Sequence, residues 1–329
     1  MRIMVFDVPA ESGGALSVLY EFYNEFKLDH ENEYIFVLSL PELEETSNIK
    51  VLRFPWIKKS WGHRLYFDHF IAPKLIKRHN VDKVLSLQNI IIPHTKVQQS
   101  VFLHNAIPFS EHRFSFHENR FLWVYQNFIG RNILKSIRKA DNVIVQTKWM
   151  ADKIADELNI HHDNIEVKPP SINTTVKDFF KETKESLSTF FYPANGAVFK
   201  NHKVIVEACL KLKEEGINDY KVIFTLKGNE NEHVRALSNI VKKNKLPIEY
   251  IGRLERSKVF ELYTKSILVF PSYLETVGLP LLEARMYETP IVASDCAFSN
   301  EILDRYEKVN YFDPYDEKAL ADIMLKYII

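Results

Sequence analysis

Short apolar runs alternate with longer amphipathic stretches along the whole chain. The runs RIMVF (2–6), YIFVLSL (34–40), KVLRF (50–54), KVLSL (83–87), SVFLH (100–104) and NVIVQ (142–146) predict strands. The stretches near 14–27, 62–79, 118–139 and 147–158 predict helices. Strand–helix alternation of this kind builds a parallel sheet covered on both faces. It breaks at 165–188, where neither Pro169 nor Pro170 can continue a central strand or a helix interior. Strand-like runs then resume as TFFYP (189–193), YKVIFTL (220–226), IEYIG (248–252), SILVF (266–270), PIVAS (290–294) and NYF (310–312). The pattern predicts an α/β protein of two Rossmann-like, doubly wound domains facing a central cleft, over 1–168 and 189–329, joined by a linker at 169–188.

Composition narrows the function classes. The 329 residues are 46% hydrophobic and 26% charged, enough for two globular domains. Lys plus Arg and Asp plus Glu each total 43, so the basic excess of a general nucleic-acid binder is absent. Cys209 and Cys296 stand far apart and fit no metal spacing, which suits a reducing compartment. No apolar run has the length of a membrane span. Asp7 and Glu11 fall where a signal peptide would carry its apolar region, so a cytoplasmic location is expected. Nine glycines without a G-x-G-x-x-G run argue against a nicotinamide dehydrogenase.

In open parallel sheets, ligands bind beyond the strand C-termini. After the first run, Gly13 and Gly14 open a helix whose free N–H groups could receive a phosphate; a plain helix cap is the alternative. The richest turn is PSYLETVGLPLLEARMYETPIVASD (271–295). Pro280 suits the first turn of a helix. The N–H groups of Thr276, Val277, Gly278 and Leu279 would then face the crevice with the positive end of that helix, a nest for a phosphate or a sugar beside one. Glu275 in the loop and Glu283 in the helix's first turn can each accept from two hydroxyls of a diol. Both could equally be charges that stabilise a helix N-terminus.

The run ETVGLPLLE, with its E-x7-E spacing, and the following PIVASD resemble the signature of retaining GT-B glycosyltransferases of family 4. IGRLERSKVFELYTKSILVFPS before it, NYFDPYDEKALADIM after it and DNVIVQTKWMADKI in the first half are similar as well, so the resemblance covers nearly the whole chain. It implies an N-terminal acceptor domain and a C-terminal domain for a nucleotide-sugar, which is a co-substrate rather than a cofactor. It implies that Glu283 holds the ribose hydroxyls, and that Glu275 and the 276–279 backbone hold the donor sugar. Gly252 and Arg253 would border the base. FYPANGAVFKNH resembles the loop that supplies an Arg and a Lys to the diphosphate: Lys200 fits the Lys, but Ala194 stands where the Arg is expected. His104, after SVFL, would hydrogen-bond the donor sugar; a buried structural histidine is the other reading. The resemblance implies same-face attack without a metal, on a glycan or lipid-linked acceptor, with UDP-sugar favoured over GDP-sugar, in bacterial surface polysaccharide synthesis. A catalytically weak nucleotide-sugar-binding subunit that supports a partner transferase is the alternative that Ala194 keeps open.

Two further stretches bear on the acceptor. FHENRFLWVYQNFIGRNILKSIRKA (116–140) interleaves apolar residues with five cations. It reads either as a core-facing helix with a solvated basic face or as a helix lying at the inner face of a membrane. WIKKSWGHR (56–64) adds two tryptophans near basic residues. No nucleic-acid partner is expected.

Overall fold

The computed structural model describes every residue except Ser12, Glu118 and Asn173. The chain divides into two compact units, Met1–Ser171 and Ile172–Ile329. In the first, β1 (Arg2–Asp7), β2 (Glu33–Leu38), β3 (Ile49–Arg53), β4 (Lys83–Ser86), β5 (Gln98–Phe102), β6 (Asn142–Val145) and β7 (Ile165–Val167) form one sheet in the order β3-β2-β1-β4-β5-β6-β7. Every pairing is parallel. Adjacent side chains on β1 and β2 go to opposite faces. Val5 and Phe36 pack with Leu19 and Phe22 of the helix Gly13–Lys27, whereas Met4, Phe6, Ile35 and Val37 pack with Phe67 and Ile76 on the other side. Two covered faces explain why these strands read as continuous apolar runs. Burial of each such side chain contributes about 1.5–3 kcal/mol.

Strand β7 falls inside the stretch read from sequence as the break. Its three residues show one buried side chain, Ile165, because it is an edge strand paired with β6 alone. Too little apolar pattern remains to announce it.

Two helical stretches in this unit carry an uncommon turn. Trp61–Tyr66 passes through a π turn at Phe67–Ile71 into Ala72–Arg78, and Arg120–Val124 passes through a π turn at Tyr125–Ile129 into Gly130–Ile137. Ser60 caps the first and Asn119 the second, each accepting a backbone N–H with its side chain.

The second unit has β8 (Thr189–Tyr192), β9 (Lys221–Phe224), β10 (Ile248–Tyr250), β11 (Ile267–Phe270), β12 (Ile291–Ser294) and β13 (Val309–Phe312), all parallel, in the order β10-β9-β8-β11-β12-β13. Residues 172–188 belong to this unit. The Phe180 N–H bonds to the Tyr287 carbonyl at 2.8 Å and the Lys181 N–H to that of Thr264 at 3.0 Å, ahead of a short helix at Lys184–Leu187 capped by Thr183. Both sheets reverse direction next to their first strand, β1 against β4 and β8 against β11. At such switch points the loops part and leave a crevice.

Candidate functional site

The loop after β11 carries the expected turn. Gly278 adopts φ +78°, and the helix Leu279–Met286 begins immediately after it, with Pro280 as its second residue. Glycine is required twice over. The left-handed conformation disfavours a side chain, and a Cβ would lie 3.2 Å from Leu281 Cδ1 and 3.4 Å from the Phe270 ring. Val277 is buried at 3% exposure and pins the turn, while Glu275, Thr276 and Leu279 are half-buried. In the first turn Pro280 carries no N–H and the Leu281 N–H donates to the Gly278 carbonyl at 2.8 Å, so what this helix start offers an anion is chiefly the positive end of its dipole.

Glu283 is the fifth residue of that helix, one turn further in than the sequence suggested, and no acidic residue occupies the first turn. The helix begins at Leu279, one residue ahead of Pro280, so the Glu283 carboxylate falls in its second turn and is buried in the unit instead of sitting at the helix mouth. Its two oxygens are held separately. Arg256 Nη2 donates to Oε1 at 2.9 Å and the Tyr263 hydroxyl to Oε2 at 3.1 Å. Burial raises the Glu283 pKa above its ordinary value, against the pull of the Arg256 charge and of the hydrogen bonds from Tyr263 and Arg256. Each oxygen keeps a second lone pair for another donor. Arg256 rests over the Phe260 ring with its side chain 57% exposed, so it is the solvent-facing partner and the fully buried Tyr263 the enclosed one.

Lys200 and Glu275 form an ion pair across 75 residues of sequence, each side chain less than one-fifth exposed. The turn bearing Lys200 is stitched to the turn bearing Glu275. The Tyr273 N–H and the Ser272 hydroxyl both donate to the Phe199 carbonyl, and Asn201 Nδ2 donates to the carbonyls of Pro271 and Pro314. Asn201 has φ +56°, a value asparagine tolerates better than most residues. Beneath, the buried Tyr192 hydroxyl donates to the Lys200 carbonyl at 2.8 Å. Ala194 is half-buried and offers no charge, and its carbonyl accepts from Thr225 Oγ1. Gly252, at φ +76°, follows β10 and donates its N–H to Leu226; Arg253 beside it is exposed.

The structure therefore brings Lys200, Glu275, the 276–279 turn and Glu283 together in the second unit, with Gly252 and Arg253 at the end of β10. Gly13, Gly14 and His104 belong to the first unit. Gly13 has φ +63°, and a Cβ at either glycine would meet nothing within 4 Å, so the mouth of that helix is open. Ser12, read with them as a cap, lies outside the described residues.

His104 follows β5 and is oriented by Asn89, at φ +63° after β4. Asn89 Oδ1 accepts the His104 backbone N–H at 2.9 Å, which turns its amide NH2 toward His104 Nε2 at 3.2 Å. Nε2 is then an acceptor and Nδ1 carries the proton. Burial lowers the His104 pKa to about 4, so the ring is neutral and acts as a hydrogen-bond donor rather than a base. Nδ1 is buried without a partner, as are Asp68 Oδ1 and both amide atoms of Gln88. A buried polar atom left in that state costs roughly 1–3 kcal/mol, so a set of them calls for an explanation.

Sequence reasoning missed Arg256, Tyr263, Gln88 and Asn89. The strand-end rule that singled out His104 after β5 would have found Gln88 and Asn89 after β4. Arg256 and Tyr263 are separated from Glu283 by a strand, and no local spacing signals them. Among the described residues, no three His, Cys, Asp or Glu side chains are grouped as a metal site requires. Among the described residues, no helix is long and apolar enough to cross a membrane.

Residues 12–176 match the family model described as Glycosyltransferase Family 4. The chain belongs to that family. Residues 175–329 match the model for Glycosyl transferases group 1, so the two models together take in nearly all of this glycosyltransferase. Among curated proteins it is similar to the O-antigen chain mannosyltransferase RfbU of Salmonella typhimurium, at 23% identity over 77% of this chain and 67% of the relative. A shorter match, to the sucrose-phosphate synthase of Spinacia oleracea, is 31% identical but spans only 25% of this chain and 8% of that protein. Among solved structures, the sucrose-phosphate synthase of Thermosynechococcus elongatus superimposes with a TM-score of 0.74 at 13% identity, covering 99% of this chain and 89% of the other. Anabaena HepE in complex with UDP and glucose gives 0.69 at 13% identity, covering 100% and 90%. These neighbours share the GT-B fold with the family 4 chain described here.

Proposed function

We propose that this family 4 glycosyltransferase moves a sugar from a nucleotide-sugar, with UDP favoured, to a glycan or lipid-linked acceptor, with retention at the anomeric carbon and without a metal. The observation that carries the reading is the buried Glu283 carboxylate, gripped at one lone pair per oxygen, in the same unit as the Lys200–Glu275 pair. The free lone pairs of Glu283 take the two ribose hydroxyls. Lys200 leaves Glu275 for the diphosphate, and Glu275 is released to hydroxyls of the donor sugar. The bond from the anomeric carbon to the phosphate oxygen breaks with its electron pair going to the diphosphate. The acceptor oxygen bonds on the same face and its proton passes to the departing phosphate. Lys200 and the positive end of the helix Leu279–Met286 stabilise that charge as it develops. His104, neutral with Nδ1–H as donor, suits a hydrogen bond to the sugar. UDP is favoured because the HepE relative is described in complex with UDP and glucose. The RfbU relative, an O-antigen chain mannosyltransferase, supports a role in bacterial surface polysaccharide synthesis.

The test is calorimetric titration with UDP, GDP and ADP, followed by NMR of the product's anomeric configuration with and without EDTA. UDP at 100 times its Kd should add about 2.7 kcal/mol of stability. An inverted product, or activity lost to EDTA and restored by a divalent cation, would refute retention or metal independence. The second reading, a binding subunit for a partner transferase, is favoured by Ala194 in the place of an arginine. Donor binding without turnover, unrepaired by Ala194→Arg, would select it.

A further inference from the structure

The first unit contains a cavity of about 710 Å³ between the stretches 61–78 and 120–137, floored by the ends of β4 and β5. Its walls are apolar, from Trp61, Leu65, Ile90, Phe128, Ile129 and Ile133. Its floor holds the buried polar atoms without partners, Asp68 Oδ1, the Gln88 amide and His104 Nδ1. Asp68 and Gln88 are 6% and 5% exposed, so this floor is a built surface rather than a chance groove.

Both π turns face this cavity. Asp68 and His69 come from one, and Tyr125, Phe128 and Ile129 from the other. A π turn is rare and occurs frequently at functional sites. Two of them converging on one cavity is an observation independent of the unpartnered atoms.

The charge at the cavity is one-sided. Among the described residues, Arg64, Lys135 and Lys139 line it with Asp68 as the sole carboxylate, and Asp68 is already paired with Arg64 at 2.6 Å. Lys135 and Lys139 are exposed and make no ion pair among the described residues. The same two stretches expose large apolar side chains: Trp61 at 68%, Leu65 at 56%, Phe121 at 65% and Phe128 at 63%. A simple sugar has no use for such a rim, and a neutral lipid has none for two free lysines.

We propose that this cavity binds an anionic glycolipid as the acceptor. The glycan head group is held by Gln88 and Asp68, the linking phosphate by Lys135 and Lys139, and the aliphatic chain lies along Trp61, Leu65 and Phe128. The assignment of this ligand as acceptor rests on the glycosyl-transfer reading above; its binding does not.

The experiment is calorimetric binding to the full chain of three probes below their micellar concentrations: dodecyl phosphate, dodecyl glucoside and glucose 1-phosphate. Dodecyl phosphate should bind at least tenfold more tightly than either of the others. Exchanging both lysines, Lys135→Ala with Lys139→Ala, should weaken it by about tenfold, the effect of two screened cation–phosphate contacts, and leave dodecyl glucoside unchanged. Phe128→Ser should weaken both alkyl probes. UDP titrated into the same proteins should be unaffected. Because 135 and 139 are exposed, the double variant is expected to fold, and circular dichroism checks this. Equal binding of alkyl and non-alkyl phosphate would overturn the proposal, as would indifference to the lysines. Binding to phosphatidylglycerol vesicles with none to monomeric dodecyl phosphate would also overturn it, marking a membrane-docking surface instead. Loss of UDP binding with dodecyl phosphate binding intact would count against the transferase reading alone.

Discussion

Glu283→Gln should separate two effects that usually travel together. The substitution keeps the size and shape of the side chain and exchanges one acceptor oxygen for an NH2 group. A ribose diol presents two O–H donors, and a carboxylate can accept both while it still receives Arg256 and Tyr263. Glutamine cannot. At least one hydrogen bond to a charged acceptor is lost, worth about 1.5–3 kcal/mol, so the UDP dissociation constant should rise by roughly 10- to 150-fold. Folding stability should move the other way. Burial raises the Glu283 pKa, so the folded protein holds that proton more tightly than the unfolded chain does. The group's contribution is fully present below the ordinary carboxylate range and is lost as pH rises through the folded-state value. Glutamine escapes that loss, so the variant should gain stability relative to the parent as pH rises above the ordinary carboxylate range. The assay is calorimetric titration with UDP and 2′-deoxy-UDP, beside denaturant unfolding at pH 5 and pH 8. The parent should discriminate between the two nucleotides, and the variant should not. Parental affinity for UDP in Glu283→Gln, or discrimination that survives, would remove the ribose assignment.

Three other outcomes are expected. Gly278→Ala forces a side chain into φ +78° against Leu281 and Phe270, and should cost about 1–3 kcal/mol in denaturant unfolding together with UDP affinity; unchanged stability would show that the turn relaxes freely. Lys200→Met should reduce kcat more than it weakens UDP binding, because its charge counts most as the diphosphate departs, and Ala194→Arg should raise kcat; equal losses in kcat and binding for Lys200→Met would mark it as a uniform contact. His202 is 1% exposed between Tyr192 and Phe224, and burial holds its pKa down to about 3. Unfolded histidine takes a proton near its ordinary value, so stability should fall as pH drops from that value toward 3. His202→Phe should flatten this acid limb of the stability curve, and an unaltered limb would exclude His202 as its source.

The parts of the molecule legible in sequence were those set by local pattern. Strands buried on both faces, such as β1 and β8, declare themselves as unbroken apolar runs, and Gly278 before Pro280 announces a turn into a helix. Ile165–Val167 did not, because an edge strand needs only one buried side chain. The site was half legible for a similar reason. Glu275, Glu283 and Lys200 stand in recognisable runs that follow β11 and β8. The donors that grip Glu283 come from the helix Arg256–Tyr263, on the far side of β11, where only folding brings them near. Likewise, nothing in the spacing of Asp68, Gln88 and His104 reveals that buried polar atoms of all three share one cavity floor.

The contact between Lys200 and Glu275 also has a kinetic consequence. An anion belonging to the protein already occupies that lysine, so in the transfer proposed above an arriving phosphate must displace Glu275, and Glu275 returns as the phosphate leaves. Affinity for the spent nucleotide is thereby capped by an internal competitor whose local concentration no dilution can lower. On that reading Glu275 favours release of the spent nucleotide by taking back the lysine.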